Sequence, residues 1–249
     1  MKSAEYWDRL AQKFIDRGHR DIWRRYSDEL NAELVARYLK GARVERVLKT
    51  DLFDEALVTG VAGVLSALAI EVHGIDISSV IVETAARQYP GAYFQAASVT
   101  QLPFPDGYFQ AVVSLSTLDQ LETIDEIKQG LSEIRRVLAP GGRLLVSFDN
   151  LSNPLIALRK TLPFVRAPYF MGESVTVLRL EELLRATGFG VEEKFTYMHA
   201  PRAIAIPVCR MLEHRPYGPV IAKLRLFEKL DHLPTRNWTA NFCGALVRK

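Results

Sequence analysis

Short apolar runs alternate with helical segments through the first two thirds of this chain, and that alternation builds a parallel sheet covered by helices. Val44 to Thr50 reads as a strand, Val61 to Ala69 as a helix packing through Val64, Leu65 and Leu68, and Glu71 to Ile75 as a second strand. Ser78 caps a helix running to about Gln88, Tyr93 to Ala97 is a short third strand, and Ala111 to Leu115 has the length of a buried fourth. Thr123 stands at capping-box distance from Glu126; Ile127, Leu131, Ile134 and Leu138 then recur at helical intervals until Pro140, Gly141 and Gly142 force a turn. Arg143 to Phe148 follows as the fifth strand.

Helical material (residues 1–43) precedes this alternation: Leu30, Leu34, Val35 and Leu39 share a face of a helix spanning Ser27 to Leu39, and Gly41 supplies a stop. After Asp149 the pattern loosens. Leu151 to Gly172, with Pro163, Pro168 and several aromatic residues, reads as a loop or short-helix cover and a lid candidate. Leu180 to Thr187 resumes helical spacing before Gly188, Val191 to Tyr197 alternates as a strand, and Pro201 to Asp231 reads as a helical insertion. Trp238 to Val247 has the character of a closing antiparallel strand beside the fifth. At 249 residues and 48% hydrophobic content, one domain spanning residues 1–249 can bury a single sizeable core.

Charge and composition exclude several classes. Lys plus Arg total 32 against 29 Asp plus Glu, without a basic run interleaved with aromatics, so nucleic acid is not an expected partner. Cys209 and Cys243 lack the spacing of a zinc or redox pair, and no metal is expected. The first residues carry charges where a signal peptide needs an apolar core, and no apolar stretch reaches the roughly 18 residues of a membrane span, which points to a cytoplasmic protein. The insertion sets Arg202, Arg210, Arg215, Lys223, Arg225 and Lys229 among apolar residues. That composition suits either a solvated helix over the sheet edge or peripheral contact with an anionic membrane or lipid-linked substrate.

Asp76 ends the second strand, the place in an open parallel sheet where an acid can accept hydrogen bonds from both hydroxyls of a ribose. It can equally turn the chain before the Ser78 cap. Three segments surround it in order: VHGIDIS (Val72 to Ser78), QLPFPDGYFQAVVS (Gln101 to Ser114) and IRRVLAPGGRLLVS (Ile134 to Ser147). Together GIDIS, LPFPDGYF and RRVLAPGG resemble the class I S-adenosylmethionine-dependent methyltransferases, particularly the small-molecule group that includes quinone-biosynthesis enzymes. The resemblance spans about Val44 to Ser147 and resumes at Leu180 to Phe189. It implies an α/β, Rossmann-like fold with a seven-stranded, mostly parallel sheet whose last strand is antiparallel, and S-adenosylmethionine across the ends of strands one to four. In that pattern Asp76 holds the ribose, Ile77 packs on adenine, Ser98 and Val99 flank its amino edge, and Ser114 and Leu115 border the methionine part.

The departures lie on the cofactor side. Family members close strand one with an acid and continue with GxGxG; here the chain reads VLKTDLFDEA, Val47 to Ala56. With Asp51 as the strand-one acid, which best keeps the spacing to Asp76, the glycine places fall on Phe53, Glu55 and Leu57; with Lys49 they fall on Asp51, Phe53 and Glu55. Gly60 and Gly63 form either a displaced loop or, the favoured reading, a relaxed helix start. Ser98 replaces the acid beside adenine and Gln110 the Asp of the family's FD pair. Asp54 and Glu55 alter the charge at the pocket mouth, and Phe53 is bulky where backbone should touch the ligand. Candidate bases are Asp119, just after the fourth strand, and His199, after the sixth; each also reads as a cap or loop residue, as do Asp149 and Asn150. Tyr6 and Trp7 either close over a substrate or anchor the N-terminal helix. The expected function is S-adenosylmethionine-dependent methyl transfer to a small or lipid-linked metabolite; the alternative is a binding or regulatory protein on the same scaffold.

Overall fold

Strand side chains alternate between the two faces of a sheet, and the interior is divided accordingly. The computed structural model describes residues 2–17, 21–40, 44–161 and 170–249. Its strands are β1 (Val44–Lys49), β2 (Ala69–Asp76), β3 (Tyr93–Ala96), β4 (Phe109–Leu115), β5 (Leu138–Asp149), β6 (Gly190–Tyr197) and β7 (Phe242–Arg248). They form one seven-stranded sheet in the order β3-β2-β1-β4-β5-β7-β6, in which β1 to β5 are parallel and β7 lies antiparallel between β5 and β6. This is the expected α/β architecture.

The helices are α1 (Ala4–Arg17), α2 (Ile22–Leu39), α3 (Phe53–Leu57), α4 (Ala62–Leu68), α5 (Ser79–Gln88), α6 (Ile124–Val137), α7 (Pro154–Thr161), α8 (Val177–Ala186), α9 (Arg202–Met211), α10 (Tyr217–Leu224) and α11 (Arg236–Thr239). Val47, Val113, Leu145 and Leu246 join one core with Leu34 and Val35 of α2, Leu65 of α4, Ala205 and Cys209 of α9, and Ile221 and Leu224 of α10. Their neighbours in sequence, Leu48, Val112, Leu144 and Val247, join the opposite core under α6 and α8. A smaller cluster ties Ala11 of α1 to Leu52 and Ala56 and to Ile81 and Ala85 of α5.

Local chemistry sets the boundaries. Ser78 Oγ accepts the Ile81 N–H at 3.2 Å and starts α5, and Thr123 Oγ1 accepts that of Glu126 at 3.2 Å and starts α6, as the spacing predicts. Glu126 itself reaches back to the N–H of Glu122, one residue outside the capping box. Pro140 to Gly142 do not separate α6 from the fifth strand. β5 begins at Leu138, and its register against β4 jumps from Phe109↔Leu138 to Ala111↔Arg143, so these residues form a bulge with Gly141 at φ +75°. The last strand starts at Phe242, and Trp238 belongs to α11 instead. The predicted stop at Gly41 and the residues from Leu162 to Tyr169 of the lid candidate lie outside the described residues. No described helix is long and apolar enough to cross a membrane.

Candidate active site

The carboxyl ends of β1, β2 and β4 open into a cleft of about 640 Å³, within the range of small-molecule sites. Asp76, Ile77, Ser98, Val99 and Leu115 line one side, as the sequence suggests; α1, α2, α7 and α9 roof the other. Ser114 does not line it. Buried in β4, its Oγ accepts from Thr50 Oγ1 at 2.9 Å, so it borders the floor from behind. Ser116 (φ 52°) and Met198 (φ 61°) are the described non-glycine residues with left-handed backbone, and both line the cleft. Such strain concentrates where surrounding structure holds residues for function.

Asp76 sits at the end of β2, paired with Ala96 of β3. Its Oδ1 accepts the Ser78 N–H at 2.9 Å and its Oδ2 the Leu52 N–H at 3.0 Å. Each oxygen keeps acceptor capacity toward the cleft. Burial, with the neighbouring Asp51 charge, outweighs those two bonds and pushes the carboxyl up to about 7. It is a half-buried carboxylate with one backbone donor on each oxygen, and the hydroxyl pair of a ribose can supply a second donor to it.

The chain after β1 takes a path the motif did not anticipate. β1 ends at Lys49, paired with Gly74, so Lys49 occupies the strand-closing position and Asp51 lies two residues beyond it on the cleft floor. Asp51 Oδ2 accepts from Thr117 Oγ1 at 2.7 Å, Thr50 Oγ1 lies 3.0 Å from the same Thr117 oxygen, and Asp51 Oδ1 pairs with Lys49 Nζ at 3.2 Å. Phe53 opens α3 where the glycines were sought. Its ring meets Phe14 edge-on (centroids 5.5 Å apart), lies under the Arg24 guanidinium at 4.7 Å, and forms part of the cleft wall.

Asp54 and Glu55 do not leave free negative charge at the mouth. Asp54 pairs with Arg24 at 2.7 Å. Glu55 is fully buried: Oε2 stands 2.9 Å from Lys49 Nζ and Oε1 accepts the Val61 N–H at 2.8 Å. Burial drives the Glu55 carboxyl up, opposed by the Lys49 charge; burial of Lys49 alone would lower its ammonium, but the carboxylates of Asp51, Glu55 and Asp54 raise it overall. Asp28 of α2 accepts the N–H groups of Thr59 at 3.2 Å and Gly60 at 2.9 Å. The amides entering α4 are thus consumed by protein carboxylates, and Gly60 and Gly63 serve the helix start.

Neither candidate base lines the cleft. Asp119 is buried behind it, accepting from Ser116 Oγ at 3.0 Å and the Asp149 N–H at 2.8 Å, and burial beside Asp149 pushes it up to about 8. Buried His199 lies with Nδ1 2.7 Å from Thr239 Oγ1, and desolvation lowers its imidazole. Asp149 pairs with Arg202 at 2.9 Å, and Asn150 donates to the carbonyls of Asn237 and Ala240. Trp7 lines the cleft, whereas Tyr6 Oη accepts the Phe170 N–H at 2.8 Å and latches α1 to the segment after α7. Sequence reasoning missed Trp23 and Arg24 of α2, Thr117, and Arg159, Ile206 and Pro207 of the roof. The lid candidate and the insertion contain Arg159, Ile206 and Pro207 without singling them out; nothing in the local sequence pointed to Trp23, Arg24 or Thr117.

Comparison with known proteins places this geometry in a family. Residues 57–146 match a family model described as a methyltransferase domain. The O-methyltransferase resE of Aspergillus sclerotiorum is 30% identical over 212 residues, covering 79% of this chain and 76% of that protein. The chain belongs to the class I S-adenosylmethionine-dependent methyltransferases. Among solved structures of similar fold are the cyclase SpnF (TM-score 0.60, 21% identity, 89% of this chain and 80% of that one) and the N-methyltransferase NodS from Bradyrhizobium japonicum in complex with S-adenosyl-L-homocysteine (TM-score 0.55, 13% identity, 90% and 87%). The cofactor of the family is S-adenosylmethionine. Asp76, with acceptor capacity left on both oxygens, and the Ile77 and Val99 surfaces fit the adenosine half of that molecule.

Proposed function

We propose that this enzyme transfers a methyl group from S-adenosylmethionine to a small apolar metabolite held between the strand ends and the roof. The observation that carries this reading is the two-sided cleft. The Asp76 carboxylate and Ile77 stand at the β2 side; facing them, Trp7, Phe14, Trp23, Leu155, Ile206 and Pro207 supply a broad apolar surface, with Arg24, Asn31, Gln120, Arg159 and Arg210 among the polar residues that share the wall. Asp76 would hold the ribose, Ile77 and Val99 would enclose adenine, and Ser98 and Leu115 would border the bound cofactor. When bound, S-adenosylmethionine supplies an electrophilic methyl group on a sulfonium.

This chain's residues contribute position rather than proton transfer. Neither His nor Cys lines the cleft among the described residues, and the Asp51 carboxylate is engaged by Lys49 and Thr117. Rate enhancement then comes from aligning the acceptor lone pair with the sulfonium methyl: the bond to carbon forms as the sulfur–carbon bond breaks, S-adenosylhomocysteine leaves, and the acceptor's proton passes to solvent. The test is an acceptor screen with S-adenosylmethionine, read by mass spectrometry. A product heavier by one CH2 on an apolar acceptor supports the reading; turnover confined to highly polar acceptors contradicts it.

A second reading is favoured by one observation: α3 and the Lys49–Glu55 pair occupy the place of the glycine loop. Under it, the scaffold binds its ligand without methyl transfer. S-adenosylhomocysteine binding in the absence of turnover on any acceptor would favour this alternative.

A further inference from the structure

Burying an apolar side chain is the default for a folded chain, so a concentration of large exposed ones calls for a partner. Among the described residues, ten of the thirteen large hydrophobic side chains left exposed lie on α7 or between α9 and α11. On α9 they form a stripe: Ile204, Val208 and Met211 recur at helical spacing, 65%, 44% and 80% exposed, on a different face from the inward-facing Ala205 and Cys209. On α7, Leu155 and Leu158 are exposed one turn apart, while Ile156 packs inward. Leu155 and Arg159 of α7, with Ile206, Pro207 and Arg210 of α9, line the cleft, so both helices stand at its mouth.

The charges on these segments are sorted. Arg202 turns inward onto Asp149, and Arg225 pairs with Glu29 and Glu33. Arg159, Arg210 and Arg215 form no ion pair among the described residues. An apolar stripe flanked by uncompensated cations is complementary to a surface with an apolar interior and anionic head groups. A second copy of the chain is disfavoured, because a two-fold interface through this stripe would bring these arginines toward their own counterparts.

We propose that α7 and α9 dock on an anionic lipid bilayer, seating the mouth of the cleft on the membrane so that an apolar acceptor passes from lipid into the site. The delivery step rests on the methyl-transfer reading; the docking does not. The test is co-sedimentation of the full chain with phosphatidylcholine vesicles with and without phosphatidylglycerol, alongside calorimetric titration with S-adenosylhomocysteine. The expected result is at least about tenfold stronger partitioning onto the phosphatidylglycerol vesicles, weakened by salt. A Leu158→Glu/Val208→Glu/Met211→Glu variant should lose that partitioning while keeping the wild-type size in solution and S-adenosylhomocysteine affinity. Arg215→Glu, a single exposed change outside the cleft, should reduce it several-fold and serves if the triple variant does not fold. Equal partitioning on both vesicle types, unchanged partitioning in the variants, or a wild-type dimer that these substitutions dissociate would overturn the proposal. Absence of S-adenosylhomocysteine binding would instead sink the functional reading and leave the docking result to stand on its own.

Discussion

Asp76 carries the cofactor argument because both its oxygens already accept one backbone N–H and still face the cleft. Asp76→Ala should weaken S-adenosylhomocysteine binding by about 1.5–3 kcal/mol, the range for hydrogen bonds to a charged group, in a protein that still folds. Calorimetric titration of both proteins checks it, and equal affinities would remove Asp76 from the site. The same carboxyl gives binding a pH dependence. Its pKa of about 7 in the free protein means that it takes up a proton as pH falls through neutrality, while ribose hydroxyls favour the ionised form. Affinity should therefore decline below about pH 7, approaching tenfold per pH unit, with proton release on binding near that pH. A flat profile from pH 6 to 8, titrated at about these values, would contradict this. The place of Asp76 at the strand end was legible because strand-end position and residue type coincide there. Ser114 was misplaced for a related reason: alternation fixes which face a residue takes, but not whether Thr50 stands between it and the cleft.

At the scale of the element, α3 and the start of α4 replace a loop that normally needs glycine. Lys49 and Glu55 are both buried and face each other, so Lys49→Met should destabilise the protein by about 3–5 kcal/mol by stranding a buried carboxylate, whereas Lys49→Met with Glu55→Leu should recover much of that loss. Chemical denaturation of the two variants decides it; additive losses would show that the pair is not coupled. Gly60 has φ +55°, and an added Cβ would meet Glu55 Oε1 at 2.3 Å. Gly60→Ala should accordingly cost at least about 1–2 kcal/mol. The sequence showed that the glycines were missing but not what filled their place. Lys49, Glu55 and Asp28 come together only through contacts between a strand end, a short helix and the distant α2, and no local pattern encodes such a pairing. The bulge at Pro140 to Gly142 was read as a turn for the converse reason, since the local glycine signal is the same in both.

For the whole molecule, the parallel run of the first five strands was legible in the alternation of apolar runs with helices, whereas the seven-strand count and the antiparallel β7 followed from the family resemblance. The roof was less legible, since α9 and α10 contribute Ala205, Cys209, Ile221 and Leu224 to the core while presenting other faces outward. Deleting Pro201 to Asp231 should therefore lower the thermal midpoint as well as alter the acceptor side, so point changes in the roof are more informative. Ile206→Trp should raise the acceptor KM about tenfold or more by filling the apolar lobe, with S-adenosylhomocysteine affinity unchanged. Buried carboxyls also give the fold a pH signature. Burial pushes Asp28 and Asp119 up to about 8 and Asp76 to about 7, so the folded state binds more protons than the unfolded one from about pH 4 to 8. The contribution of these three groups to stability falls as pH rises through that window, and the thermal midpoint should be lower at about pH 8.5 than at about pH 6. The most direct measurement of the central claim is calorimetric titration of the purified chain with S-adenosylhomocysteine, wild type beside Asp76→Ala. One-to-one binding by the wild type, weakened in the variant at unchanged fold, is the predicted result; no binding by a folded wild-type protein would contradict the account of the cleft as a cofactor site.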